Sequence, residues 1–185
     1  MPDAERPVDR LMVLIDGSTA FVRVVGRGTF KISTALKDFS ASALDRGVSG
    51  LVLDLSECTG MDSTFMGVIA GLAIRFRKAG RGRVAAVNLS SKTRNLLGTL
   101  GLDHLIDTCM PGATPDEYRV ALEAEDRHTR LEASPADEKR TAETILEAHE
   151  DLVEIHPANL QKFKDVLEFL REDMRKWERK EGGTA

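Results

Sequence analysis

Two cysteines in 185 residues, Cys58 and Cys109, are too few for a disulfide framework and lack metal-ligand spacing. Both read as plain buried or half-buried thiols. Aromatic residues make up only 5% of the chain, so aliphatic side chains must build its core. No apolar run is longer than a strand or an amphipathic helix, which argues against a membrane-spanning segment. The opening residues, MPDAERPVDR, are polar and charged, so no secretory signal is expected and the expected compartment is the cytoplasm. A Gly-rich phosphate loop is missing too. Gly26-Arg27-Gly28 and Gly80-Arg81-Gly82 fit neither the Walker pattern nor the Rossmann spacing. No Cys/His or Ser/His constellation stands out, so an enzyme is not expected, nor a metal or cofactor. The net charge of −4 carries no global nucleic-acid signature.

Acids are absent from one long interval. None occurs between Asp62 and Asp103, where Arg75, Arg77, Lys78, Arg81, Arg83, Lys92 and Arg94 stand. Residues 1–115 hold 14 Lys/Arg and 11 Asp/Glu, a net of +3, and residues 116–185 hold 12 and 19, a net of −7. The basic interval reads either as a solvated helix face or as a patch that meets an acidic partner, this chain's own acidic C-terminal part included.

What is present is a regular alternation. Leu11–Ile15 and Ala20–Val25 read as strands joined by a turn at Asp16-Gly17-Ser18. Ile32, Leu36, Phe39 and Ala43 recur at helical spacing up to Gly47. Leu51–Leu55 is the next strand; Phe65, Ile69, Leu72 and Phe76 mark a helix; Val84–Val87 is a strand. Ser90 or Ser91 caps a helix carrying Leu96, Leu97 and Leu100, and Leu105-Ile106 forms a short last strand before a helix opened by Pro115. The order predicts an α/β domain over residues 1–125, with a mixed sheet packed by helices. Residues 126–138 read as a linker. Residues 139–181 read as a two-helix hairpin, with seams at Ala142, Ile145, His149, Leu152 and His156 and at Leu160, Phe163, Leu167, Leu170, Met174 and Trp177. A hairpin this small buries little alone, so it must dock on the α/β domain, pair with a second copy or await a partner. His149 reads mainly as a seam residue that sets register, although Glu147 and Glu150 beside it also suit a phosphoacceptor or a metal ligand.

The stretch LVLDLSECTGMDSTFMGVIAG, Leu51 to Gly71, concentrates the chemistry. A strand runs through a polar turn into Asp62-Ser63-Thr64 and then directly into an apolar helix. The first turn of a helix has unpaired N–H groups and favours negative charge, so a hydroxyl there can cap the helix or carry a phosphate. Met61, Phe65 and Met66 form either an exposed apolar anchor for a partner or core; the expectation is Phe65 inward and Met66 partly exposed.

The element order and the segment MDSTFMG resemble the STAS domain, the fold of bacterial anti-sigma factor antagonists, over roughly Leu11 to Leu122. The end of the second strand at Val24-Val25-Gly26, the turn LSECTGMDST leading to Gly67, and the late segment KTRNLLGTLGLDHLI carry the likeness. The resemblance implies that Ser63 is the phosphorylation site of a partner-switching cycle, with Thr64 the fallback and Asp62 orienting the hydroxyl or helping to position the incoming phosphoryl group. It implies an anti-sigma factor with serine-kinase activity as partner, a serine phosphatase that resets the cycle, and no direct contact with nucleic acid or membrane. Arg27 and Thr29 fall on the loop expected near the partner. Two positions depart from the family's pattern: Phe65 stands where glycine is usual, and Arg27-Gly28-Thr29-Phe30 replaces a commonly acidic loop. The alternative is a constitutive adaptor that uses the C-terminal hairpin to dock a partner or to form a homodimer through residues 139–181.

Overall fold

The computed structural model describes residues 8–132 and 137–182. The opening residues, the middle of the expected linker and the last three residues of the chain lie outside the described residues. Strand β1 (Arg10–Asp16) turns through Gly17-Ser18 into β2 (Thr19–Gly28), with Asp16 opposite Thr19. Gly17 takes a φ of 57°, a left-handed value that suits glycine in a two-residue hairpin turn. Helix α1 (Phe30–Asp45) follows, then β3 (Gly50–Asp54), β4 (Cys58–Met61), α2 (Ser63–Lys78), β5 (Val84–Val87), α3 (Ser91–Thr99), β6 (Asp107–Thr108), α4 (Asp116–Glu123), β7 (Thr129–Leu131), α5 (Glu138–Ile155) and α6 (Asn159–Gly182).

The strands form one mixed sheet in the order β6-β5-β3-β2-β1-β7. The β1–β2 and β1–β7 pairs are antiparallel, and β2–β3, β3–β5 and β5–β6 are parallel. Two strands were not expected. Thr129–Leu131 lies within the stretch that reads as linker, yet it pairs with the open edge of β1. Its three residues carry no hydrophobic alternation, so the edge alone recruits them. Cys58–Met61 reads as part of a turn, yet it continues along β2 past a register shift at Gly26/Arg27. The last strand also falls two residues later than Leu105-Ile106, because Leu102–His104 closes a 3₁₀ turn first.

The core lies mainly between one face of the sheet and helices α1 and α2, where Leu36, Leu51, Leu53, Phe65, Ile69 and Phe76 are fully enclosed. A smaller cluster on the opposite face packs Phe21, Val52 and Val87 against Ala121 and Leu122 of α4, with Tyr118 edge-on to Phe21. Aliphatic packing thus replaces the scarce aromatics. Helices α5 and α6 form the expected hairpin, and α5 lies along α1 and α2 in the same molecule. Buried Asn159 fastens its turn, donating to the carbonyls of Leu100 and Leu152 at 3.0 and 2.9 Å.

Candidate functional site: a serine at the mouth of two helices

β4 carries the chain alongside the end of β2, so α1 and α2 begin side by side. The Asp62 N–H donates to the Gly28 carbonyl at 2.9 Å. The Asp62 carboxylate accepts from the Phe65 N–H and from the Phe30 N–H, both at 2.8 Å. One aspartate therefore caps α2 and supports the first turn of α1. Capping is done by Asp62 and not by Ser63, which is the first helical residue. Each carboxylate oxygen accepts one backbone N–H, and the Ser63 hydroxyl pairs with His149 and not with Asp62.

The Ser63 hydroxyl finds another partner. Its Oγ lies 3.0 Å from Nε2 of His149 on α5. Nδ1 of the same ring is 2.7 Å from the Ile145 carbonyl oxygen. A carbonyl can only accept, so Nδ1 carries the hydrogen, and Nε2 of the neutral ring accepts from Ser63. His149 is only 3% exposed, and its ring stands edge-on to Phe163 with centroids 4.7 Å apart. Burial pulls the imidazole below its ordinary pKa, against the opposing pull of the Ile145 hydrogen bond and the Asp62 charge. A nucleophilic oxygen and a base are thus paired, and the helix that supplies the base also covers that side of the oxygen.

On α2 the residues facing α5 recur every fourth position: Ser63, Gly67, Gly71 and Arg75. A β-carbon at Gly67 would overlap the Ala148 carbonyl, and one at Gly71 would overlap the Asp151 carboxylate. The two backbones meet because nothing larger than hydrogen stands between them. Charge frames the contact. Lys37 of α1 and Arg75 of α2 both pair with Glu147, and Lys78 reaches Glu154 at 3.8 Å. Thr34 meets Thr144 at 3.2 Å, and Arg140 pairs with Asp38 at 2.6 Å. The acid-free interval of the sequence is here, in part, a seat for this chain's own acidic helix.

The remaining expected residues divide. Met61, Phe65 and Met66 are all buried, so they are core and not an exposed anchor; the expectation of a partly exposed Met66 is corrected. The Phe65 ring fills the space over Gly28, where a β-carbon would stand 2.5 Å from the ring. This bulky departure points inward and is fully buried, so it does not itself cover the Ser63 hydroxyl. Thr64 is buried as well. Arg27 is exposed at the end of β2, and Thr29 is the half-buried N-cap of α1. Sequence reasoning missed His149 as the partner of Ser63, 86 residues away. The available signal was the glycine pair four residues apart inside a helix, which marks a close helix contact.

A second polar cluster sits at the far ends of β3 and β5. Asp54, only 1% exposed, accepts from Arg23, the Ser56 N–H and Asn88 at 2.8, 3.1 and 3.0 Å. Burial works to raise its pKa, but these hydrogen bonds outweigh burial and hold it below the ordinary value. The hollow beside it, about 550 Å³, is lined by groups that largely satisfy one another. Among the described residues no His/Cys/Asp/Glu group could hold a metal ion, and no helix is long and apolar enough to cross a membrane.

Comparison with known proteins bears on the fold. No curated protein matches the chain. Among solved structures, an anti-sigma factor antagonist from Mycobacterium paratuberculosis shares 21% identity over 65% of this chain and 96% of its own, with a TM-score of 0.50. The unphosphorylated anti-sigma factor antagonist SpoIIAA shares 18% over 60% of this chain and 94% of its own, also at 0.50. At these identities the likeness is one of fold, and it leaves more than a third of this chain uncovered. The family model described as "Mlab, STAS domain" matches residues 11–107, which run from β1 into β6. With that match over more than half its length, the chain belongs to the STAS domain family.

Proposed function

We propose that this chain is a regulatory protein-binding module of the anti-sigma factor antagonist kind, switched by phosphorylation at Ser63. Dephosphorylated, it sequesters an anti-sigma factor with serine-kinase activity; phosphorylation by that kinase ends the complex, and a serine phosphatase restores it. The observation that carries this reading is the division of labour at the α2 mouth. Asp62 does the capping, so the Ser63 hydroxyl is not needed as a cap and stands at a helix end that favours a phosphate. Thr64, buried in the same turn, is the weaker acceptor. A phosphate adds about −1.5 to −2 charges, and beside Asp62 and against a packed helix that charge is expensive to desolvate. His149 already occupies the hydroxyl, so α5 must move before a kinase engages it. The resting chain is therefore closed, in the cytoplasm, awaiting its partner.

The test is capture from the native cell with Ser63→Ala and Ser63→Asp baits, alongside intact-mass analysis of the chain itself. A partner held by the first bait and lost by the second, with a phosphorylated species that vanishes in Ser63→Ala, is the expected result. Absence of any phosphorylated species across growth conditions overturns the switch.

A constitutive adaptor draws on a different observation. α6 leaves Val166 and Phe169 exposed at 40% and 61%, away from the seat of α5. In that reading Phe169→Glu abolishes partner capture or dimer formation, and changes at Ser63 do nothing.

A further inference from the structure

We propose that the face formed by α1 and α2 is a receptor for an acidic amphipathic helix, that α5 is its resident occupant, and that a partner protein binds by setting a helix of the same chemistry in α5's place. This rests on the reading of the chain as a partner-binding module, and it concerns what kind of helix binds rather than whether Ser63 is phosphorylated.

The receptor has three matched requirements. The first is shape. Gly67 and Gly71 each cost α2 about 1 kcal/mol of helix propensity relative to alanine. They leave a trough that only a closely approaching backbone fills, and Ala148 of α5 presents its carbonyl and small side chain there. The incoming helix must carry a residue no larger than alanine at this point. The second is charge. Lys37 and Arg75 border the trough from two helices, and α2 carries no acid to neutralise them. The incoming helix must bring a carboxylate where Glu147 stands. The third is hydrogen bonding. The hydroxyls of Ser63 and Thr34 border the same face and pair with His149 and Thr144.

α5 meets these requirements imperfectly, which makes it replaceable. Asp151 presses its carboxylate against Gly71 and has no ion pair within 4.0 Å among the described residues. Burial raises its pKa to about 6, so it sits in this seat at a cost at neutral pH. A partner helix with a small neutral residue at that place fits the trough better than α5 does.

Two variants open the seat from the α5 side in the full chain and leave α1 and α2 untouched, and a third then blocks the trough itself. Ala148→Arg sets a long side chain against the Gly67 backbone. Glu147→Lys opens the seat by charge alone, and so covers the case in which the arginine disturbs folding. The probe is a fluorescently labelled synthetic peptide with the sequence of residues 137–182. It should bind both opened, unphosphorylated chains at least tenfold more tightly than the wild-type chain. The same peptide carrying Glu147→Lys should lose at least tenfold, and Gly67→Leu in the Ala148→Arg chain should abolish binding. Equal binding to wild type and to both opened variants, or no binding to opened variants that retain their melting transition, overturns the proposal. So does indifference to the charge reversal in the peptide. If light scattering finds the opened variants dimeric and the peptide excluded, the occupant is a second copy and the separate partner falls. Each measurement uses unphosphorylated chain, so its failure leaves the Ser63 switch standing, and failure of the switch leaves this receptor standing.

Discussion

Ser63 and His149 owe their pairing to two neighbours that do the ordinary work. Asp62 takes the cap, and the Ile145 carbonyl fixes the imidazole tautomer. The consequence is a contact whose pH response can be worked out. His149 has a folded pKa below 6.5, so its contribution to stability is present above 6.5 and is lost as pH falls through the folded value. Asp151 has a folded pKa raised from 3.8 to about 6, so its contribution is present below 3.8 and is lost as pH rises through about 6. The two oppose each other on acidification. Asp151→Asn should therefore unmask His149, and the melting temperature should fall between pH 7 and pH 5 by more than in wild type. His149→Gln should unmask Asp151, and the same acidification should raise the melting temperature relative to wild type. Parallel profiles for the three proteins would remove both groups from the docking contact. Ser63 was legible in the sequence because the acid, the hydroxyl and the helix start are contiguous. His149 was not, because its role depends on a tertiary contact and its seam position is equally well explained by packing against α6.

Among the elements, α2 is decided by its glycines. Gly67→Ala tests which effect governs. Helix propensity alone favours alanine by about 1 kcal/mol, but the new β-carbon meets the Ala148 carbonyl, a backbone atom that cannot swing aside. We expect the clash to win: hydrogen exchange should show the α5 amides losing protection while those of β2 and β3 keep theirs. Unchanged α5 protection would mean that the helix contact yields without cost. The same contrast between local and tertiary control explains which elements the sequence disclosed. β1, β2, β3, β5 and the helices announce themselves by periodicity, and Ser90 marks the start of α3 by accepting from the Thr93 N–H. β4 has turn-like residues in Cys-Thr-Gly-Met, and β7 has three residues with no pattern; each exists because a neighbouring strand offers unpaired hydrogen-bonding groups. Met66 was misplaced for a related reason. Its helix is enclosed by sheet, α1 and α5 together, so more of its circumference is buried than one amphipathic stripe implies.

On the scale of the whole molecule, a basic body meets an acidic C-terminal hairpin, and packing and charge can be separated by salt. The Debye length shrinks from about 10 Å at 0.1 M to about 3 Å at 1 M, and half-exposed pairs are worth about 0–1 kcal/mol each. Lys37, Arg75 and Glu147 are all partly exposed. High salt should therefore loosen α5 measurably but leave Ala148 seated on Gly67 and Leu152 buried, with hydrogen exchange intermediate between wild type and Gly67→Ala. Complete release by salt alone would make the docking electrostatic. A last consequence comes from the little strand β7. By pinning Leu131 to the edge of β1, it leaves six peptide links before Asp137, a leash of about 20 Å at full stretch. A hairpin on so short a leash is never diluted. It revisits its seat at a local concentration on the order of millimolar, whatever the abundance of the protein. Any competitor in solution must overcome that figure, so a three-residue edge strand sets the threshold at which the molecule responds.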